Sequence, residues 1–262
     1  MREIRSVVVV GSGNVAEHVA LAVAECPSLE LRQVVARNAA RAEQVAALAS
    51  CSYTIDMGEV AQADIYIISV SDRAVGEVAA QLRKAVGDEA LMVHTAGSVE
   101  MDALGEGPRG VFYPFQTFTK GRRIDFSRVP LFVEGYDEPT TCAIEDFARV
   151  LSQKVYRAGS QRRREIHLTG VLACNFVNGL YAMAADRLEQ REGLSFEVLQ
   201  ELVLETARKA SEATHPRMVQ TGPAVRGDKE VAERHMAMLE EREQKEIYKL
   251  LNDYIWQTSK KI

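Results

Sequence analysis

Near its amino end the chain runs Ser6-Val7-Val8-Val9-Val10 straight into Gly11-Ser12-Gly13-Asn14-Val15-Ala16. Few folds tolerate that junction. Five residues dominated by β-branched side chains favour an extended strand. Val15, Val19 and Val23 then recur at helical spacing until Pro27 closes the segment. In a strand that turns into a helix within so few residues, each small residue has a job. Gly11 allows the tight turn, Gly13 lets a phosphate come up to the backbone, and Ala16 lets helix pack close on strand. The helix start offers N–H groups without partners and a partial positive charge.

The pattern of the first 159 residues extends this unit. Short apolar runs at 6–10, 31–36, 65–69, 91–94, 110–113, 131–134 and 155–157 alternate with Ala-rich segments such as 42–48 and 75–82, which show helical spacing. Continuous apolar runs separated by helices predict a parallel sheet covered on both faces. After Gly159 the strand signals stop, and the rest reads as long helices broken near His215-Pro216 and at the loop 221–228, TGPAVRGD. The expectation is α/β: a Rossmann-type, mostly parallel sheet over residues 1–159, followed by an all-α domain over 160–262.

A glycine turn placed between first strand and first helix predicts a dinucleotide site, held through Gly11, Ser12, Gly13, Asn14 and Val15. The second strand selects the dinucleotide. NAD sites usually end it with a carboxylate on the ribose hydroxyls, but here it ends Val35-Ala36-Arg37-Asn38, with Arg41 following. Guanidinium groups match phosphate in a bidentate way, so Arg37, Asn38 and Arg41 point to a 2′-phosphate and to NADP(H). The same arginines also read as ordinary solvated residues opening a helix. Ligands in such sheets lie outside the carboxyl ends of the strands, which adds Ser69, Val70 and Ser71 after one strand and Thr95, Ala96 and Gly97 after another. Asp72 and Ser98 read as helix caps. The loop Tyr113-Pro114-Phe115-Gln116-Thr117-Phe118 reads either as a wall over the nicotinamide or as an aromatic seal between domains.

In the helical half, His167, Asn175 and Asn178 form a polar stripe on an otherwise apolar helix. Buried without partners such groups are costly, so they meet a ligand, water or each other. His167 reads as a general acid, with Asn175 and Asn178 orienting a carbonyl or imine and Arg226 pairing with a substrate carboxylate. The plainer alternatives are a satisfied structural histidine and an Arg226–Asp228 pair. Asp228 is placed to cap the final helix. Glu165, His94 and His215 are lesser candidates, and His18 and His235 read as helix surface.

Composition removes several classes. A net charge of −5 gives no footprint for nucleic acid. Cys26, Cys51, Cys142 and Cys174 have neither disulfide-framework nor zinc spacing, so no metal is expected. The longest apolar stretch, about 168–185, contains Asn175 and Asn178, which suits a buried helix better than a membrane span. No secretory pattern precedes Gly11, and a cytoplasmic location is expected.

The segments VVVVGSGNVA, HTAGS at 94–98, YPFQTF at 113–118, HLTGVLACNFVNGLY at 167–181 and TGPAVRGD at 221–228 resemble those of Rossmann-like proteins with a carboxy-terminal DUF2520 domain, often named as NADP oxidoreductases. More distantly the layout is similar to pyrroline-5-carboxylate reductase, ketopantoate reductase and the β-hydroxyacid dehydrogenases. The resemblance implies hydride transfer involving a small carbonyl or imine, and a homodimer formed through the helical half. The β-hydroxyacid and ketopantoate enzymes place a Lys four residues before an Asn on the first long helix. Here Val171 precedes Asn175 and Cys174 precedes Asn178. The alternative expectation is therefore a protein that binds NADP(H) as a sensor or assembly module without chemistry.

Overall fold

The computed structural model describes residues 3–259. Eight strands form one sheet: β1 (Ser6–Val10), β2 (Glu30–Val35), β3 (Ser52–Thr54), β4 (Ile65–Ile68), β5 (Leu91–His94), β6 (Arg109–Pro114), β7 (Leu131–Gly135) and β8 (Val155–Arg157). Their spatial order is β3-β2-β1-β4-β5-β6-β7-β8. All pairs are parallel except β6 with β7. The mostly parallel sheet agrees with the sequence pattern. β3 is an addition to it: three residues on the sheet edge are too few to show a period.

Helices α1 (Asn14–Ala24), α2 (Ala39–Ala49), α3 (Val75–Val86) and α4 (Glu138–Leu151) cover the sheet. Side chains alternate across β1. Val7 and Val9 join a core with Val19, Val23, Val45 and Ile144, whereas Val8 and Val10 join another with Val75, Ala79 and Leu82. β1 is therefore buried on both faces, which is why its sequence is uniformly apolar. Each such valine contributes roughly 1.5–3 kcal/mol when fully buried. Strand order reverses about β1, and the switch lies between β1 and β4. In open sheets of this kind the ligand crevice opens there.

By contacts the chain divides into compact units Met1–Asn178 and Gly179–Ile262. The first unit thus carries, besides the sheet, helix α5 (Ser160–Gly170), a π-helical turn Val171–Asn175 and the start of α6 (Phe176–Glu192). The helical run 160–192 is long and apolar enough to cross a membrane by length and composition. The expectation that its apolar stretch is buried does not hold within the chain: Leu168, Leu172 and Phe176 are all at least half exposed.

The second unit is helical, with α7 (Gln200–Glu212), α8 (Pro223–Arg226), α9 (Lys229–Met238) and α10 (Arg242–Ser259) following the rest of α6. Asp228 Oδ1 accepts from Val231 N at 3.2 Å and so caps α9. The cap expected on the final helix thus belongs to the one before it, because the short break before α10 carries no glycine or proline to announce it. Among the described residues of this unit none is fully buried.

Candidate active site

A cavity of about 1240 Å³ opens at the carboxyl ends of β1, β2, β4, β5 and β6. Gly11, Ser12, Gly13, Asn14 and Val15 form one side of it, Arg37 and Asn38 another, and Ser69, Val70, Ser71, Thr95, Ala96 and Gly97 line its floor. Gly11 has φ +131°, and a Cβ there would meet the Ser69 carbonyl oxygen at 2.0 Å. No other residue fits that turn. At Gly13 a Cβ would meet nothing within 4 Å, and no side chain caps α1. The first helical bond runs from Glu17 N to Gly13 O, so the amides of residues 14–16 have no helical acceptor. An open glycine surface beside unpaired amides fits a diphosphate. Ala16 is fully buried, as close helix packing requires.

The three residues read for a 2′-phosphate separate here. Arg37 is exposed and lines the cavity. Asn38 Oδ1 accepts Arg41 N at 3.0 Å and caps α2, which leaves its amide group as a donor. Arg41 is not on the cavity wall: Nη2 donates to Glu17 Oε2 at 2.8 Å and Nε to the Ser12 carbonyl at 3.2 Å. Its charge is matched by a carboxylate that is only 2% exposed. Burial raises the Glu17 pKa, but the Gly121 N–H and the Arg41 guanidinium outweigh that and hold it below the ordinary carboxylate value.

His18 is buried rather than superficial. Its Nδ1 lies 2.7 Å from the Asn14 carbonyl and its Nε2 2.8 Å from the Arg122 carbonyl. Asn14 Nδ2 donates to the Phe118 carbonyl at 3.1 Å. Asn14, Glu17 and His18 together fasten the loop after β6 onto α1. The sequence holds no local sign of this, since the partners lie 104 residues apart. Asp72 and Ser98 do not cap helices through their side chains; Ser98 Oγ donates to Asp72 Oδ2 at 2.5 Å. The adjoining strand ends bring them together.

Tyr113, Phe115 and Phe118 line the cavity, and Tyr113 and Phe115 also cluster with Phe132 at ring separations of 5.9–6.3 Å. From α5 and the π turn, His167, Gly170, Val171, Cys174 and Asn175 complete the wall. Asn178 is not among them. A π turn takes more residues than an α turn, so the helix beyond it is rotated by about 100° per extra residue. Asn175 and Asn178 are exposed, not buried. Arg226 is exposed in the second unit.

Two further groups escape sequence reading. Tyr113 Oη lies 3.0 Å from His167 Nδ1. Arg163 is fully buried, pairs with Glu134 and donates to the Val99 carbonyl, tying α5 to the sheet. Nearby His94 is fully buried, and its Nδ1 accepts the Ala96 amide at 3.2 Å. Burial, helped by the Arg163 charge, pushes its pKa down to about 4. A neutral, enclosed His94 is a packing residue. A separate hollow at the amino ends of the strands is lined by Arg5, Arg32 and Glu30, whose charges pair locally. No group of acidic, histidine and cysteine residues among those described could hold a metal ion.

A family model for a domain of unknown function, DUF2520, matches residues 129–255. A crystal structure from Bacteroides fragilis, described as a "putative NADP oxidoreductase", is 37% identical, covers 97% of this chain and 98% of its own, and superposes with a TM-score of 0.89. A Thermotoga maritima protein is 21% identical over 97% of this chain and 98% of its own, with a TM-score of 0.74. Plasmodium falciparum pyrroline carboxylate reductase, whose structure holds NADP, is 13% identical with a TM-score of 0.62, covering 99% of this chain and 98% of its own. At those lower identities the likeness is one of fold. No curated protein matched in sequence.

Proposed function

This chain belongs to the Rossmann-like proteins with a carboxy-terminal DUF2520 domain, and from that membership we propose that it is an oxidoreductase that uses NADP(H) to reduce, or to form, a small carbonyl or imine. The observation that carries the reading is one cavity bordered by the glycine turn, Arg37 and His167. Ser12 to Val15 offer backbone N–H groups to the diphosphate, and Gly11, whose own N–H donates to the Val35 carbonyl, supplies the turn. Arg37 and the Asn38 amide hold the 2′-phosphate, while Ser69 to Ser71 and Thr95 to Gly97 surround the nicotinamide half. The bound NADPH supplies the hydride. His167 supplies the proton to the oxygen or nitrogen that gains the electron pair, and Asn175 orients that group. Asn178 lies off the cavity wall, and Arg226, read from the sequence as the partner of a substrate carboxylate, is the reason to expect an anionic substrate.

The NADP-bound reductase of the same fold supports the cofactor, and Arg37 at the cavity edge supports the phosphorylated form. The direct test is titration with NADPH and NADH, then NADPH oxidation against keto acids and cyclic imines. Absence of affinity for either nucleotide defeats the proposal. Tight binding with no turnover across the panel favours the sensor reading, which the missing helix lysine also favours.

A second copy of the chain is the proposed cover for the exposed helices. Leu202, Leu204, Leu250 and Tyr254 are each more than 60% exposed, and a unit with no buried residue among those described has no core of its own.

A further inference from the structure

We propose that Tyr113 is a positioning residue for His167: its phenol donates to Nδ1, so the neutral ring carries its proton on Nε2 and presents that proton to the substrate. This role rests on the oxidoreductase reading, but the hydrogen bond itself does not. Three observations carry it. Tyr113 Oη and His167 Nδ1 are 3.0 Å apart, and neither atom has another hydrogen-bond partner among the described residues. Tyr113 is only 9% exposed, so a phenolic hydrogen left without an acceptor there is costly. If Nδ1 were the donor, that hydrogen would be orphaned; with the phenol donating, both atoms are satisfied.

Gly97 makes the pair possible. A Cβ at Gly97 would lie 2.6 Å from Nδ1 and 2.8 Å from Oη, so any larger residue must push one of the two aside. The hydrogen bond therefore sits directly against the turn that follows β5, on the floor of the cavity. Burial pushes the Tyr113 pKa up to about 12, which keeps the phenol protonated and able to donate at neutral pH.

His167 Nε2 has no hydrogen-bond partner among the described residues, which leaves it for a ligand. A neutral imidazole whose Nε2 proton is fixed donates a hydrogen bond to a carbonyl oxygen or imine nitrogen and polarises it. When that N–H bond breaks and the proton joins the substrate, the Tyr113 O–H bond breaks and its proton joins Nδ1. The ring stays neutral throughout, and the negative charge ends on the Tyr113 oxygen, where the Arg163 charge lowers its cost. Solvent then returns one proton to the pair.

The test needs no substrate. Long-range ¹H–¹⁵N correlation on histidine-labelled protein, without nucleotide and in mildly alkaline buffer, reads which nitrogen of His167 bears hydrogen. The wild type is expected to show one tautomer, protonated at Nε2, and Tyr113→Phe a mixture of both. A wild-type ring protonated at Nδ1 overturns the proposal, as does a tautomer unchanged in Tyr113→Phe. Should that variant fail to fold, Gly97→Ala, which must displace the pair while keeping the phenol, is expected to give the same mixture, and an unchanged tautomer there counts against it. The nucleotide titration above is independent: its failure leaves the tautomer intact, and the reverse also holds.

Discussion

Arg41 reaches from the first turn of α2 to place Nη2 2.8 Å from Glu17 Oε2 on α1, and it holds the Ser12 carbonyl with its Nε. The residue that sequence assigns to a phosphate is thus spent on the scaffold that shapes the phosphate turn. Glu17 is nearly fully buried while the Arg41 side chain is 21% exposed. Arg41→Ala leaves a buried carboxylate with one fewer partner, and a loss of about 2–3 kcal/mol is expected in urea unfolding. A loss below about 0.5 kcal/mol would mean that water replaces the guanidinium without cost.

With Arg41 bound to Glu17, Arg37 is the one of the two arginines left on the cavity wall for the proposed 2′-phosphate. Arg37→Asp is expected to weaken NADPH roughly ten- to hundredfold, as the loss of a charge-assisted contact does, and to leave NADH nearly unchanged. Equal losses for both nucleotides, measured by fluorescence titration, would remove Arg37 from the 2′-phosphate.

His94 gives the chain a built-in sensitivity to acid. Its pKa falls from 6.5 to about 4 on folding, so between those values the unfolded chain binds the extra proton. Stability from this group is complete above about pH 6.5 and is lost as pH drops towards 4. The full difference is on the order of 3 kcal/mol. His94→Gln should flatten the stability profile across that window, and an unchanged slope in the variant argues that His94 takes up its proton over the same pH range in the folded and unfolded chain.

His167→Ala should lower kcat by about 10²–10⁴ against whichever substrate the panel reveals, with NADPH affinity kept. Turnover equal to wild type would assign the proton to another group.

Sedimentation of the purified chain is expected to give twice the monomer mass of 29.0 kDa. Leu250→Glu with Tyr254→Glu, two substitutions on the exposed side of α10, should shift that equilibrium to monomer. A monomeric wild type leaves the exposed leucines without a self-made cover.

The readable part of the molecule is the part built from local pattern. β1, β5 and β8 have the limits that their apolar runs suggest, and Gly11 through Ala16 form the turn their sizes require. The parts that escape reading depend on partners far apart in the chain. His18 looks like a surface residue on a helix until residues 118–122 fold over it and over the neighbouring Glu17. Tyr113 reads as one aromatic among three, because nothing within its own loop names His167, 54 residues away. Arg163 reads as one of three consecutive arginines, and only the position of Glu134 beneath α5 distinguishes it.

The π turn at Val171–Asn175 resets the phase of the helix that passes through it. Counting by fours from His167 keeps to the cavity as far as Asn175, whereas Asn178 has already left it. A lysine introduced at Val171 or Cys174 to restore the four-residue spacing would therefore be two different experiments: the first spans the irregular turn, and the second aims at an asparagine that has rotated away from the hollow.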